Sequence, residues 1–218
     1  MLIKPNDVSI YSNISTKNKN SAEEFYNNVI IPRLKEYGGS FPSYEKQTEY
    51  YNYFEFIITS IIFAYTSLEA FANICIPNNY EYIIDKGGVK TIYSKMAIER
   101  KFSLRDKFKD MLSILFKTSK ITDEKWWNKF IKLEEIRNEI IHTKEASSEE
   151  RYSKLLNKEI FDLIDVHKEV ISFFGYFISQ NSQQTMSVFP YKFGFDEFIP
   201  SLTSEESFKK SRNMIFGK

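Results

Sequence analysis

Residues 134–144, EEIRNEIIHTK, hold the side chains of this chain best suited to acid–base and phosphate chemistry. Asn138 follows Arg137 directly, and His142, one of only two histidines, comes five residues after the arginine. Arginine offers a planar fork of donors that matches a phosphate. Histidine, with an ordinary pKa near ~6.5, exchanges a proton near neutral pH. Asn138 can donate to a phosphate oxygen or orient the imidazole. Together these groups suit transesterification of RNA without a metal, in which the 2′-hydroxyl attacks phosphorus.

The spacing of these residues favours such a site only at a helix end. Five residues place Arg137 and His142 about 140° apart around an α-helix, whereas Asn138 and His142 share a face. In a loosened last turn, the long arginine side chain can reach the other two residues. The alternative interpretation is a plain helix end, because an Arg–His spacing also arises by chance and the helix dipole favours a cation near a C-terminus.

The stretch TSLEAFAN, residues 66–73, contains a second pair of candidate polar residues. Glu69 is in register with a predicted core stripe, where a carboxylate is costly unless it is paired. The residues of this stripe recur at helical spacing: Phe54, Ile57, Ile58, Ile61, Tyr65, Leu68 and Ala72. Asn73 lies one turn after Glu69, so both residues are expected to have partners on another helix. A structural interpretation has Glu69 bonded to backbone and Asn73 ending the helix, whereas a functional one places Glu69 beside Arg137 or His142.

Other residues with notable chemistry receive structural interpretations. His167 is predicted to be a surface or half-buried helical residue, and Trp126 a core residue rather than a platform for base stacking. The single cysteine, Cys75, excludes an intrachain disulfide, fits a reducing compartment and is predicted to lie in the core. A basic run is expected to be a solvated face, with an RNA path as the alternative: Arg100, Lys101, Arg105 and Lys107.

The composition indicates a globular helical protein. The chain has 218 residues, of which 42% are hydrophobic and 17% aromatic, so general disorder is excluded. Only seven glycines and six prolines are present, which favours long helices over a β fold with many turns. A net charge of +1 provides no global attraction to nucleic acid or membrane. No spacing typical of metal ligands and no phosphate-binding glycine loop is seen, so neither a metal nor a cofactor is expected.

The apolar run at residues 54–77 is predicted to be a buried helix rather than a membrane span. Glu55 and Glu69 bracket its apolar centre, and the interval between them is shorter than the ~20 residues that a span needs. The N-terminus lacks the apolar region of a signal peptide. We therefore expect a cytoplasmic protein with no membrane association.

Helical periodicity predicts an all-α, up-and-down bundle of four or five helices. Residues 1–20 lack periodicity, and a first helix is predicted to begin at an N-cap, Ser21, and to be kinked or ended by Pro32. A turn is expected near residue 85, and a Ser103–Asp106 cap is expected to open the helix after it. The other predicted helices cover about 43–76, 90–101, 104–117, 122–145 and 146–180. The predicted domains are an N-terminal extension with one helix (1–42), the bundle (43–180) and an irregular aromatic C-terminal arm or tail (181–218).

Two stretches together resemble the HEPN superfamily. RNEIIH, near the end of a bundle helix, resembles its R-x4–6-H motif in the common form with asparagine after the arginine. SLEAFAN, on a long upstream helix, resembles the first core helix of many HEPN proteins. The resemblance covers residues 43–180. It implies a dimeric helical domain that acts as a metal-independent ribonuclease in toxin–antitoxin pairs, phage defence or RNA processing.

The resemblance also implies roles for individual residues. Arg137 and His142 would form the catalytic pair, with Asn138 assisting and with two copies of the motif facing each other in a homodimer. RNA would be the substrate, and an antitoxin or another defence-system protein a partner.

Further polar residues would support this pair: Glu69, Asn73 and Lys144. In one HEPN toxin class the motif continues as His-x-Tyr, and the antitoxin modifies that tyrosine. In this chain the position is Lys144, which argues against such regulation and offers the phosphate another cation. The alternative function is a catalytically inactive HEPN-like module that binds a partner protein or RNA.

Overall fold

The computed structural model describes residues 7–36, 47–142 and 148–180. These ranges are mostly helical, as predicted, and they also contain one two-stranded antiparallel sheet. A HEPN-like arrangement of the helices stays a prediction. Lys144 and the C-terminal segment 181–218 lie outside the described residues, together with 37–46.

In the order of the chain, the described residues form helices before and after one β-hairpin. Helix α1 (Asp7–Phe25) continues through a π turn (Tyr26–Ile30) into α2 (Ile31–Glu36). Helix α3 (Gln47–Cys75) precedes the hairpin of β1 (Glu81–Lys86) and β2 (Val89–Ser94). Next come α4 (Lys95–Lys101), α5 (Leu104–Asp106), a π segment (Lys107–Leu112) and α6 (Ser113–Leu115). A 3-10 turn (Ile121–Asp123) leads to α7 (Lys125–Ile141), α8 (Ser148–Leu155) and α9 (Glu159–Gln180).

The N-terminal segment is helical from Asp7, so the prediction that residues 1–20 lack regular structure is wrong for the described part. Ser12 and Ser15 are fully buried on this helix. The hydroxyl of Ser60, on α3, donates to the carbonyl oxygen of Ser15 at 2.8 Å. Small serines allow two helices to pack closely while hiding the apolar periodicity that usually reveals a buried face. Because α1 begins at Asp7, Ser21 is an exposed residue within the helix and not its N-cap.

Pro32 does not end its helix, which continues to Glu36. Proline lacks an N–H group, and its ring crowds the carbonyl one turn earlier. The π turn directly before α2 widens the backbone at the place where this crowding would arise.

Residues 90–94 form a strand rather than the start of a helix. Strand β1 pairs with β2 so that Ile83 faces Ile92 and Lys86 faces Val89. Gly87 and Gly88 join the strands with φ values of 62° and 84°, a conformation that glycine adopts without steric cost. The predicted turn near residue 85 is therefore the tip of a β-hairpin.

Helix boundaries elsewhere show both agreement and correction. The predicted capping box is confirmed, since Asp106 N–H donates to Ser103 Oγ at 3.2 Å and Ser103 N–H to Asp106 Oδ2 at 3.1 Å. The last predicted helix is instead two helices, α8 and α9. Asn157 lies in the break, where its side-chain oxygen accepts a bond from the Glu159 N–H at 2.9 Å.

Helix α3 carries the predicted apolar stripe. Ile57, Ile61, Leu68 and Ala72 are fully buried, and Tyr65 is 5% exposed. Among the described residues this is the one helix, over Thr48–Cys75, that is long and apolar enough to cross a membrane by length and composition. Half of its apolar window is buried inside the fold, and core helices of soluble proteins pass the same test. A cytoplasmic location stays a prediction.

The described residues form two compact units. Unit one consists of 7–10, 67–127 and 169–180, and unit two of 11–36, 47–66, 128–142 and 148–168. In unit one, aromatic side chains pack around Phe174, with Phe108 stacked on it at 5.3 Å between ring centroids. Trp126 joins this cluster and is buried, as predicted. The predicted domain boundaries at residues 42 and 180 stay predictions.

Candidate functional site at the end of helix α7

The Arg–Asn–His stretch lies at the C-terminal end of α7, in unit two. Helix α7 ends at Ile141, and the next residue, His142, still donates its backbone N–H to the Asn138 carbonyl at 2.9 Å. Asn138 and His142 are exposed, whereas Arg137 is half-buried. The predicted position of the motif at a helix end is therefore confirmed.

The Arg137 guanidinium is held at two places. Its Cζ lies 4.8 Å from the ring centroid of Tyr65, on α3, which is within the range of a cation–π contact. Its Nη1 donates to Asn138 Oδ1 at 3.0 Å. This bond joins the guanidinium to the side chain of Asn138, a residue that shares a helix face with His142.

Tyr65 is in turn bonded to a carboxylate of α7. Its hydroxyl donates to Glu134 Oε1 at 2.8 Å, and only 7% of Glu134 is exposed. Glu134 precedes Arg137 by one helical turn, so α7 contacts both the hydroxyl and the ring of the same tyrosine. Sequence reasoning placed Tyr65 in the core stripe and gave Glu134 no role. The one signal in the sequence was the three-residue spacing of Glu134 and Arg137.

The Arg137 guanidinium has donor capacity that the described residues do not use. Its Nε is buried without a hydrogen-bond partner. Among the described residues, no carboxylate forms an ion pair with this guanidinium. Leaving a buried donor unpaired costs roughly 1–3 kcal/mol, and more for a charged group. Nε itself is buried, but Arg137 as a whole is only half-buried, so the accessible part of its side chain could meet an external anion.

Glu69 and Asn73 belong to unit one, where their polar environment includes a buried lysine. Asn73 Oδ1 accepts a bond from Lys107 Nζ at 2.9 Å, and Lys107 also donates to the Glu99 carbonyl at 3.2 Å. Burial lowers the pKa of Lys107, while the charges of Glu69 and Glu99 oppose that shift. Lys107 is 5% exposed, so its assignment to a solvated basic face is wrong. The supporting role of Glu69 and Asn73 toward Arg137 stays a prediction.

His167 is fully buried, which contradicts the predicted surface or half-buried position. Its Nδ1 lies 2.6 Å from the Ile164 carbonyl oxygen and its Nε2 lies 2.9 Å from Ser12 Oγ. Since a carbonyl only accepts, Nδ1 carries the proton and Nε2 accepts from the serine hydroxyl. Burial lowers the pKa of His167 to about 4. The sequence did contain the signal, because His167 is three residues after Ile164 and four before Ile171, on the apolar face.

A groove of about 510 Å³ beside α7 has mixed charge. Its lining includes three lysines and four carboxylates, Lys129, Lys132, Lys154, Glu135, Glu139, Glu159 and Asp162. Lys154 pairs with Glu139 at 2.9 Å and with Glu150 at 3.1 Å. The groove therefore does not attract a polyanion by net charge.

Two further observations concern metal binding and cysteine reactivity in the described part of the chain. No group of three or more His, Cys, Asp or Glu side chains there could hold a metal ion. Cys75 is buried, as predicted, and burial raises the pKa of its thiol, which disfavours the reactive thiolate.

Comparisons with protein-family models, with curated proteins and with solved structures give no match for this chain. The resemblance to the HEPN superfamily therefore depends on the sequence motifs RNEIIH and SLEAFAN alone and stays a prediction.

Proposed function

We propose that the end of helix α7 is the active site of a metal-independent endoribonuclease. Arg137 would bind the scissile phosphate, and His142 would transfer protons. The observation that supports this proposal most strongly is the state of Arg137: its guanidinium is oriented by Tyr65 and Asn138, yet it has no carboxylate partner among the described residues. Pre-oriented positive charge of this kind stabilises negative charge that develops on a phosphate in the transition state.

The chemistry needs one base and one acid. A neutral imidazole removes the proton of the 2′-hydroxyl, and the 2′-oxygen forms a bond to phosphorus. The bond from phosphorus to the 5′-oxygen breaks, and an imidazolium protonates that oxygen as it leaves. The products are a 2′,3′-cyclic phosphate and a 5′-hydroxyl. His142 is exposed and can contact RNA, but one chain offers a single imidazole at this position.

A homodimer would supply the second histidine. A two-fold axis beside the end of α7 would place His142 opposite His142 of the partner subunit, so that one acts as base and the other as acid. Ile141, directly before His142, is a large apolar residue that is 46% exposed. Burial of such a residue in an interface is favourable, which supports an axis at this place. By the resemblance, such an enzyme would act in the cytoplasm as a toxin or phage-defence component with a partner protein.

The alternative is a catalytically inactive helical module that binds a partner protein or RNA. In such a module, the contacts of Arg137 with Tyr65 and Asn138 would stabilise the fold and would not prepare a phosphate site. Under this alternative, replacing Arg137 lowers stability and no cleavage is lost.

A substrate panel tests the proposal. The wild-type protein should cleave single-stranded RNA in excess EDTA, and should leave both DNA of the same sequence and fully 2′-O-methylated RNA intact. Cleavage of the DNA or the methylated RNA would contradict attack by the 2′-hydroxyl. Binding of all three without cleavage would favour the inactive module.

Arg137→Lys is the matching variant, because it keeps the charge and removes the planar fork. It should cleave far more slowly than wild type. Arg33→Lys makes the same change at an arginine that is paired with Glu36 and Glu49, serves as the control and should leave cleavage unchanged.

A further inference from the structure

Tyr65 and Glu134 form a buried pair that neither acid–base chemistry nor phosphate binding uses directly. The pair nevertheless contacts the Arg137 guanidinium through the Tyr65 ring. We propose that Tyr65 and Glu134 are positioning residues that hold the Arg137 guanidinium in the orientation required by the scissile phosphate. This inference depends on the proposed ribonuclease function.

The tyrosine ring restricts the arginine before substrate binds. Tyr65 is 5% exposed on the long helix α3, so its ring is fixed by the surrounding core. The guanidinium carbon lies 4.8 Å from the ring centroid, which defines the distance of the cation from α3. A flexible arginine would have to lose rotamer freedom when the phosphate arrives, whereas this one has lost it on folding. Pre-organisation of this kind raises the rate of the chemical step.

Glu134 acts on Arg137 through Tyr65. The 2.8 Å bond from the phenol to Glu134 Oε1 fixes the tilt of the ring. A carboxylate that accepts from a phenol also makes the ring more electron-rich, which strengthens its attraction for a cation. Both effects end at the guanidinium, so loss of the Glu134 charge should loosen Arg137 without touching the substrate.

The Asn138 bond complements the ring contact. The cation–π contact with Tyr65 restrains the position of the guanidinium over the ring, and the 3.0 Å bond from Nη1 to Asn138 Oδ1 restrains its rotation. With both restraints present, the position of the remaining donors is determined. Removing one restraint should therefore reduce catalysis more than it reduces substrate binding, because a loose guanidinium still attracts a phosphate.

Cleavage kinetics on folded variants test the proposal. Tyr65→Leu should lower kcat by roughly 10–100-fold, as expected for a misplaced catalytic group, with a smaller change in KM. Tyr65→Phe keeps the ring and should recover most of that loss. Glu134→Gln keeps an acceptor for the phenol but removes the charge, and should lower kcat by less than Tyr65→Leu does.

Matched controls and a structural readout accompany the kinetics. Tyr51, an exposed tyrosine of α3, and Glu135, the exposed neighbour of Glu134, should tolerate Tyr51→Leu and Glu135→Gln with unchanged kcat. In ¹⁵N NMR spectra the Arg137 Nε–H signal, assigned by its absence in Arg137→Lys, should be shifted upfield by the Tyr65 ring current. Tyr65→Leu should abolish that shift, and Tyr65→Phe should retain it.

The outcomes separate this inference from the proposed function. If the wild-type protein cleaves RNA while folded Tyr65→Leu and Glu134→Gln have wild-type kcat, the positioning role is wrong and the ribonuclease proposal stands. If Tyr65→Leu does not fold, Glu134→Gln decides the same question against Glu135→Gln. If the wild-type protein cleaves no RNA, both proposals are wrong.

Discussion

Acidification should destabilise this protein through His167, and the size of the effect follows from its surroundings. The histidine is fully buried and uncharged, and burial lowers its pKa to about 4, against ~6.5 in an unfolded chain. Between these two pH values the unfolded chain binds a proton that the folded protein excludes. The stabilising contribution of His167 is therefore complete above pH ~6.5 and is lost as the pH falls toward about 4. The loss reaches roughly 2 kcal/mol at pH 5 and roughly 3 kcal/mol well below pH 4.

Other groups near His167 also respond to acid, so a variant is needed to isolate the histidine. Burial alone would raise the pKa of the Asp165 carboxyl, but hydrogen bonds and charges from Lys19 and Lys168 lower it overall. Acid therefore weakens these ion pairs too. His167→Gln keeps a polar group beside Ser12 and cannot take up a proton, while His142 and the ion pairs are the same in both proteins.

Urea unfolding followed by circular dichroism at pH 7.5 and pH 5 measures the effect. The wild-type protein should lose about 2 kcal/mol more unfolding free energy between these two pH values than His167→Gln does. The variant is expected to be less stable than the wild type at pH 7.5, because a glutamine amide cannot reproduce the geometry of both hydrogen bonds that the imidazole makes with Ser12 and Ile164. Equal losses in the two proteins would show that His167 is not a buried, neutral histidine in the fold.

Two further predictions concern unit one and the dimer. Asn73→Ala removes one of the two acceptors of the buried Lys107 ammonium and should lower the unfolding free energy by about 1.5–3 kcal/mol in urea. Asn78→Ala, at a similar but exposed Lys–Asn bond, should change it little. Equal costs would contradict the burial of Lys107. Light scattering at micromolar concentration should show a homodimer that Ile141→Glu dissociates and that Ile114→Glu, at another exposed isoleucine, leaves intact. A wild-type monomer with full cleavage activity would refute the shared site.

Several features of the fold were predictable because local spacing reports burial directly. The stripe of α3 recurs every three or four residues, and its central positions, such as Ile57 and Ile61, are fully buried. The capping box of Ser103 and Asp106 is a local pattern with a local cause. The motif RNEIIH was likewise expected near the end of a helix, and α7 ends at Ile141, four residues before the predicted boundary at 145.

Other features were missed because they do not depend on a periodic pattern of apolar residues. Helix α1 packs through serines such as Ser15, which look polar in sequence but fit a close helix contact. The hairpin is short, and its two glycines, which require a positive φ, were interpreted only as a turn. His167 lies on an apolar face, where a polar residue is accepted once both ring nitrogens are bonded.

The contacts around Arg137 at the candidate site could not be predicted from the sequence either. Tyr65 and Arg137 are far apart in the chain, and no spacing rule connects a tyrosine on one helix with an arginine on another. The contact appears only after α3 and α7 have packed. The motif on α7 was therefore predictable, whereas the residues that contact Arg137 from α3 were not.

The most direct measurement compares the wild-type protein with His142→Ala on one RNA oligonucleotide, with rates and product ends determined together. The wild-type protein should leave a 2′,3′-cyclic phosphate and a 5′-hydroxyl. His142→Ala should cleave about 10²–10⁴-fold more slowly, as expected for a lost general acid–base group. Its melting temperature should stay within a few degrees of wild type, because His142 is exposed. If His142→Ala cleaves the RNA at the wild-type rate, the end of α7 is not the active site.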